Sequence, residues 1–102
     1  MDWDKVFEAG EVEKTWKTEN GECCVMVNYT RDESWRCGYY WTDKSMDPAV
    51  IDVHGGVTFY EEEGDGWIYG FDCCHSWDRF APKSLEYVVA QIEDMVKQVD
   101  KR

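Results

Sequence analysis

The stretch IDVHGGVTFYEEEGDGWIYGFDCCHSWD, residues 51–78, decides the fold and holds most of the residues that could do chemistry. Apolar side chains alternate with polar ones over Val53–Tyr60, and a second apolar run covers Gly66–His75. Alternation with a period of two is typical of half-buried β-strands, and the acidic, glycine-containing segment 61–65 between the runs is typical of a turn. The sequence therefore predicts a β-hairpin whose loop is the segment 61–65.

The apolar positions of the two strands also predict how the strands pair. A register that joins apolar to apolar residues sets Phe59 opposite Trp67 and His54 opposite Asp72. The glycine pair that follows His54 could form a bulge, and a slip of one residue would then set His54 opposite Cys73. Either register gathers a histidine, an aspartate and thiols at one end of one face.

This cluster has two chemical interpretations and one structural interpretation. In an enzyme, Asp72 would orient His54 as a general base and a cysteine would be the nucleophile. The candidate catalytic residues are His54, Asp72, Cys73 and Cys74. In a metal protein, imidazole, thiolate and carboxylate together would suit zinc. The candidate zinc ligands are His54, Cys74, His75 and Asp78. In the structural interpretation His54 hydrogen-bonds Asp72, and the cysteines are small buried apolar residues.

Three short segments resemble the signatures of a group of small, functionally uncharacterised proteins encoded by phages and other mobile elements. The segments are HGGVTF (54–59), GFDCCH (70–75) and CGY (37–39), which are similar to HGG(L/V)T(F/Y), GFDCxH and CGY. The resemblance spans roughly residues 35–96. It implies a phage-like origin and carries over no catalytic residue.

Composition limits the class of protein. The chain of 102 residues has 22 acidic and 11 basic side chains, a formal net charge of −11, and 43% hydrophobic residues. This length predicts a single domain, residues 1–102, that can bury a core of its own. A strongly negative surface repels nucleic acid and lipid headgroups and attracts basic protein surfaces. Because no signal peptide or apolar span is visible, we expect a protein of the host cytosol with free thiols.

The remaining segments predict an α+β fold. Asp2–Lys17 has apolar residues that could share a helix face, although Gly10 interrupts it. Alternating patterns over Cys23–Thr30 and Trp35–Trp41 indicate two antiparallel strands, and apolar residues recur at helical spacing over Ser84–Asp100. The expected architecture is an antiparallel sheet of about four strands with a C-terminal helix and a weaker N-terminal helix packed on one face.

These features favour a binding function. We expect a small acidic phage-type protein that binds and blocks a basic protein surface. The most specific version of this expectation is an anti-CRISPR-like inhibitor of a host defence nucleoprotein. The candidate contact residues are Glu61, Glu62, Glu63, Asp65, Asp32 and Glu33. The partner would be a nucleic-acid-binding host protein, with no direct contact to nucleic acid or membrane. The alternative is a metal-dependent or cysteine enzyme built on the His54 cluster.

Overall fold

A computed structural model gives the architecture, and it describes residues 1–7, 10–73 and 83–101. The elements in chain order are α1 (Trp3–Val6), β1 (Glu11–Lys17), β2 (Gly21–Tyr29), β3 (Ser34–Thr42), a 3-10 turn (Pro48–Val50), β4 (Phe59–Glu63), β5 (Gly66–Asp72) and α2 (Leu85–Asp100). The strands form one antiparallel sheet in the order β1-β2-β3-β5-β4. The predicted α+β class is confirmed, with five strands among the described residues instead of about four.

The central strands bury side chains on both faces of the sheet, because odd and even positions alike are apolar. The helix face, which packs under α2, is defined by Cys23, Val25, Tyr40, Tyr69 and Phe71. The aromatic face, on the other side, is defined by Cys24, Met26, Cys37, Tyr39 and Ile68, and Trp3 of α1 packs on it. The two helices therefore cover opposite faces, and the prediction that both pack on one face is wrong.

Helix α2 forms where its sequence predicts it. The Ser84 side chain accepts a hydrogen bond from the Tyr87 main-chain N–H at 3.1 Å, which satisfies one of the amides that a helix N-terminus leaves unpaired. Its fully buried residues follow the helical period and are Val88, Ile92, Met95 and Val99. No helix of the described residues is both long and apolar enough to cross a membrane.

The N-terminal helix is much shorter than predicted. Only Trp3–Val6 is helical, and Glu11–Lys17 is the edge strand β1, paired with β2. A β-bulge between Val12 and Lys14 shifts the register, so that Val12 packs on the aromatic face and Trp16 on the helix face. Residues four apart share a face in an unbroken strand, so the extra residue of the bulge explains why Val12 and Trp16 lie on opposite faces.

The β4–β5 hairpin also differs from its predicted form. Its turn is the two residues Gly64-Asp65, with Gly64 at φ +60°, and Glu61–Glu63 belong to the strand. Phe59 lies opposite Gly70 and not opposite Trp67, so the predicted register is wrong. Two-residue turns with glycine first match the natural twist of a hairpin, which is why the shorter loop is favoured.

The segment 51–58 is irregular and does not form the first half of a strand. Ile51 and Val53 are buried on the helix face, as their apolar character predicts. The main chain between them pairs with side chains of α2, because Gln98 bonds both the N–H and the C=O of Asp52 at 2.7 Å. Gln91 accepts from the His54 N–H at 2.8 Å. Two helix glutamines thus satisfy backbone groups that a neighbouring strand would otherwise pair.

Candidate functional site

The predicted His54–Asp72 pair does not form, because the two residues belong to opposite sides of the sheet. His54 lies in a turn before β4, and its Nδ1 is 2.8 Å from the hydroxyl of Tyr87 on α2. Asp72 lies opposite Cys37 on the aromatic face and accepts a hydrogen bond from the Thr58 hydroxyl at 3.2 Å. An imidazole that faces α2 cannot be oriented by a carboxylate on the far face. The predicted His54–Asp72 pair is therefore wrong, in the catalytic interpretation and in the structural one.

Cys23, Cys24 and Cys37 lack the character of an activated nucleophile. Cys23, Cys24, Cys37 and Cys73 are all buried. Burial raises the pKa of Cys23 and of Cys24 to about 12, and that of Cys37 to about 11. A reactive cysteine needs a lowered pKa, since the thiolate is the nucleophile. The cysteine-enzyme alternative gains no support from these three residues.

The zinc hypothesis rests mainly on residues that lie outside the described ranges. Cys74, His75 and Asp78 belong to the segment 74–82, which the structure does not describe. Within the described ranges no group of three His, Cys, Asp or Glu side chains could hold a metal ion. Of the four candidate ligands, His54 alone lies within the described ranges, and its Nδ1 bonds the Tyr87 hydroxyl. The zinc site stays a prediction.

The motifs that resemble the phage-type signatures meet in the sheet. The segments CGY and GFD pair directly across β3 and β5, with Gly38 opposite Phe71 and Gly70 opposite Tyr39. A Cβ on Gly38 would lie 2.6 Å from the Phe71 ring, and one on Gly70 would lie 2.5 Å from the Tyr39 ring. Each glycine leaves space for an aromatic ring from the strand beside it. These motif residues therefore determine packing and register.

The same pairing builds a groove on the aromatic face, which we call the motif groove. Its volume is about 330 Å³. The rings of Trp35, Tyr39 and Phe59 belong to this face and line the groove, and Phe71, whose ring packs on the helix face, borders it. The polar groups that line it are Asn28, Cys37, Thr58 and Asp72. The groove thus combines ring surfaces with one carboxylate, and none of these lining residues is basic.

Hydrogen bonds and ring contacts fix the walls of the motif groove. The Asn28 amide donates to the Cys37 sulfur at 3.1 Å. The Tyr39 and Phe59 rings meet edge to face with centroids 5.7 Å apart, and Phe7 packs against both of them. Burial, followed by the nearby Cys37, raises the pKa of Tyr39, which keeps its hydroxyl neutral. The only formal charge among the lining residues is therefore that of Asp72.

The candidate acidic contact residues divide into two groups at opposite ends of the sheet. Glu61, Glu62, Glu63 and Asp65 lie at the tip of the β4–β5 hairpin, and all four are exposed. Asp32 and Glu33 lie in the β2–β3 turn, also exposed, at the other end of β3. Nine-residue strands separate these ends by about 27 Å. The six residues therefore cannot form one contiguous patch.

A second hollow, of about 560 Å³, lies beside α1. It is lined by side chains of both charges, including Asp2, Asp4, Lys17 and Glu22, and by Trp3. The Trp3 indole N–H is buried and has no hydrogen-bond partner among the described residues. Because the charges are mixed, this hollow has no clear preference for a cation or an anion.

The motif groove was not predicted from the sequence, because the motifs were interpreted as separate carriers of chemistry. Asn28, Trp35 and Tyr39 were not candidates for any site. The signal that could have found the groove is the matching of each motif glycine with an aromatic residue of the other motif. Comparisons of this chain with protein families, with curated proteins and with solved structures found no match.

Proposed function

We propose that this protein binds a basic surface of another protein through the tip of its β4–β5 hairpin and blocks that surface. The observation that carries the proposal is the group of four exposed carboxylates within five residues, at 61, 62, 63 and 65. Within the described part of the chain, none of the four forms an ion pair. Carboxylates of this kind keep their charge available for an incoming cation.

The hairpin tip is held in a defined shape, which favours binding. The strands pair up to Glu63 and Gly66, so the free loop is only two residues long. The Trp41 indole N–H donates to the Glu63 carbonyl at 2.8 Å and ties the tip to β3. A site that is already ordered loses less conformational entropy when a partner binds.

The tip also lies on an edge strand, which determines how it can be approached. Among the described strands, β4 pairs only with β5. Alternation along β4 places Glu61 and Glu63 on the same side as Phe59, the aromatic face, and Glu62 on the helix face. A partner could therefore meet negative charge on both faces of this edge. The charges also hinder edge-to-edge pairing of the protein with itself.

The partner that fits best is a protein whose basic groove normally holds nucleic acid. The net charge of −11 gives long-range attraction to such a groove. The resemblance to phage-type proteins favours a host defence nucleoprotein as the target, in the manner of an anti-CRISPR protein. By occupying the groove, the acidic hairpin would compete with the nucleic acid.

The test compares two triple variants that change the net charge equally. One carries Glu61→Gln, Glu62→Gln and Glu63→Gln, and the other carries Glu86→Gln, Glu93→Gln and Asp94→Asn on the exposed side of α2. A partner captured from host lysate by the unchanged protein is purified and titrated with each variant at low and high salt. We expect the hairpin variant to bind about tenfold more weakly or worse, since each exposed pair contributes about 0.5 kcal/mol.

The control variant should change the affinity less than about threefold, because it alters only the long-range field. Raising the salt concentration should slow association, because screening weakens electrostatic steering. Equal losses of affinity in the two triple variants would mean that the net charge attracts the partner and that the hairpin is not a specific contact. Binding that neither variant nor salt affects would overturn the proposal.

A further inference from the structure

We infer that Asn20 is a site of spontaneous deamidation that the end of α2 holds closed. Release of α2 from the β1–β2 turn, residues 18–21, would open the site, and the reaction would then weaken the return of the helix. The inference goes beyond the proposed function and does not depend on it, because it concerns this turn and α2 and needs no partner. It is carried by the hydrogen bonds that hold the reacting atoms.

Asn20 is followed by Gly21, and in a flexible chain this dipeptide deamidates readily because glycine has no side chain to hinder ring closure. The main-chain nitrogen of Gly21 loses its proton and attacks Cγ of Asn20, and Nδ2 leaves as ammonia. Water then opens the resulting cyclic imide to aspartate, or to isoaspartate, in which the main chain continues through the former side chain. Water is the only co-reactant, and the net change replaces an amide by a carboxylate.

The structure holds both reacting nitrogen atoms in hydrogen bonds. The leaving group, Nδ2 of Asn20, donates to an Asp100 carboxylate oxygen at 3.1 Å. The Gly21 N–H, which supplies the nucleophile, donates to the Thr18 hydroxyl oxygen at 3.1 Å. The Thr42 hydroxyl donates to the Asn20 carbonyl at 2.9 Å and fixes the peptide unit between the two reacting groups. Ring closure therefore requires these bonds to open.

Asp100 connects this protection to the docking of α2. It is the last residue of the helix, and its second carboxylate oxygen accepts from the buried Tyr40 hydroxyl of β3 at 2.7 Å. One oxygen thus binds the sheet and the other binds the turn. Because Asn20 and Asp100 are far apart in the chain, only a docked helix supplies the bond to Nδ2. Helix ends open more readily than core segments, so the site becomes reactive when the last turn of α2 leaves the sheet.

The packing of the sheet explains why the reactive dipeptide is present. Gly21 begins β2 and lies opposite Thr42 of β3. A Cβ at position 21 would collide with the Trp41 carbonyl and would lie 2.8 Å from the Tyr40 ring. Any larger residue would therefore push β2 and β3 apart. The fold requires glycine after Asn20, and the bond to Asp100 restrains the reactivity that this glycine brings.

The product of the reaction would oppose the contact that holds Asn20. An aspartate at position 20 has no N–H to donate to Asp100, and it places a second carboxylate beside the first. Two negative charges so close to each other repel. Isoaspartate would in addition lengthen the main chain within the tight turn, which the Thr18 N–H closes by donating to the Gly21 carbonyl at 2.9 Å. Either product therefore loosens α2 from the turn.

The first experiment compares the folded with the unfolded chain. The protein is kept at mildly alkaline pH, with and without guanidinium chloride, and new acid at position 20 is measured by peptide mass mapping. The other asparagine, Asn28, precedes Tyr29, whose bulk hinders ring closure, and is the internal reference. We expect deamidation of Asn20 to be at least about tenfold slower in the folded chain, because the reaction requires local opening. Equal rates in the two states would overturn the inference.

The second experiment opens the site from the side of α2. Asp100→Ala removes the partner of the Asn20 amide, and Asp94→Ala is the matched control at an exposed position of the same helix. Without denaturant, Asp100→Ala should deamidate at Asn20 at least about fivefold faster than the unchanged protein, and Asp94→Ala less than about twofold faster, because only the first loses a hydrogen bond to the site. Equal rates in the two variants would overturn the role of α2.

The third experiment tests the consequence of the reaction and still decides if Asp100→Ala fails to fold. Asn20→Asp carries the charge of the product, and Asn20→Ala loses the same hydrogen bond without adding a charge. We expect the amides in the last turn of α2 to exchange with deuterium fastest in Asn20→Asp, more slowly in Asn20→Ala and most slowly in the unchanged protein. If Asn20→Asp protects these amides as well as the unchanged protein does, deamidation does not weaken the docking of α2 and the inference is overturned.

Discussion

The two faces of the sheet are closed in different ways. The helix face lies under the 16-residue α2, and residues such as Ile92 and Met95 are fully buried there. The aromatic face lies under the four-residue α1 and individual rings such as Phe7 and Tyr39. A long helix fills the space above a sheet continuously, whereas separate rings leave gaps between them. The motif groove is one such gap, and the difference indicates that packing is more continuous on the helix face than on the aromatic face.

The largest effect is expected from a substitution that disrupts packing on the helix face. Ile92→Asp would place an unpaired charge where the native side chain has no exposed surface, and such burial costs several kcal/mol. Since domains of this kind have unfolding free energies of about 5–15 kcal/mol, we expect loss of the cooperative unfolding transition, followed by circular dichroism.

The matched control for this change is Ala90→Asp, an exposed position on the same helix. It should cost about 1 kcal/mol or less, from lower helix propensity alone. If Ile92→Asp melted at the temperature of the unchanged protein, the helix face would not be the main core.

A smaller loss of stability is expected when either of the two glycines that leave space for aromatic rings is replaced by alanine. An alanine at position 38 would press on Phe71 and Ile92, which are both buried beneath α2. An alanine at position 70 would press on Tyr39, which borders the motif groove on one side. Overpacking costs about 1–3 kcal/mol, and we expect Gly38→Ala to lie at the upper end and Gly70→Ala at the lower end.

Urea unfolding of both variants measures this difference, with the m-value as a check that the transition stays two-state. Equal losses, or a larger loss for Gly70→Ala, would show that the aromatic face is packed as rigidly as the helix face.

The smallest expected effect concerns alkaline pH and the buried thiols on both faces. Their folded pKa values, about 12 for Cys23 and Cys24 and about 11 for Cys37, lie above the ordinary value of 9.0. The unfolded chain therefore loses these protons first. The stabilisation is complete below about pH 9 and is lost as the pH rises from there to about 11–12. At pH 10 each buried thiol should lower the free energy of unfolding by about 1 kcal/mol.

Urea unfolding at pH 8 and pH 10, with reductant present, tests this expectation. The comparison stops at pH 10 because burial also raises the pKa of Tyr39 and Tyr40, which would add to the effect above that pH. Unchanged stability between the two pH values would contradict it. If Cys23→Ala reduces the pH-dependent loss of stability by about a third, the buried thiol on the helix face contributes as much as each of the two thiols on the aromatic face.

The separation of His54 from Asp72 shows where inference from sequence stopped being sufficient. The second strand of the hairpin was located well, but the first begins at Phe59 and not at Val53, and the pairing was assigned by matching apolar positions only. The actual register follows from Gly70, which leaves space for the Tyr39 ring, and from a two-residue turn that includes Gly64. Both are properties of two strands together, and a shift of an odd number of residues moves a side chain to the other face.

The sequence by itself determined the elements whose pattern is local. Helix α2 with its Ser84 cap, the paired strands β2 and β3, the presence of the β4–β5 hairpin and the excess of negative charge could all be predicted from the chain. Helical and strand periods arise from the geometry of neighbouring residues, so a short stretch is enough to show them.

Only the tertiary structure decided which strands, helices and distant residues lie next to one another. It assigned β1 to the sheet edge through a bulge, placed the two helices on opposite faces, and brought Trp35, Phe59 and Asp72 together around one groove. These outcomes depend on contacts between residues far apart in the chain, where ring size, glycine position and turn length act jointly. The physical reason is that the period of a strand tells which residues share a face, but not which face, nor which residues of other strands will meet them there.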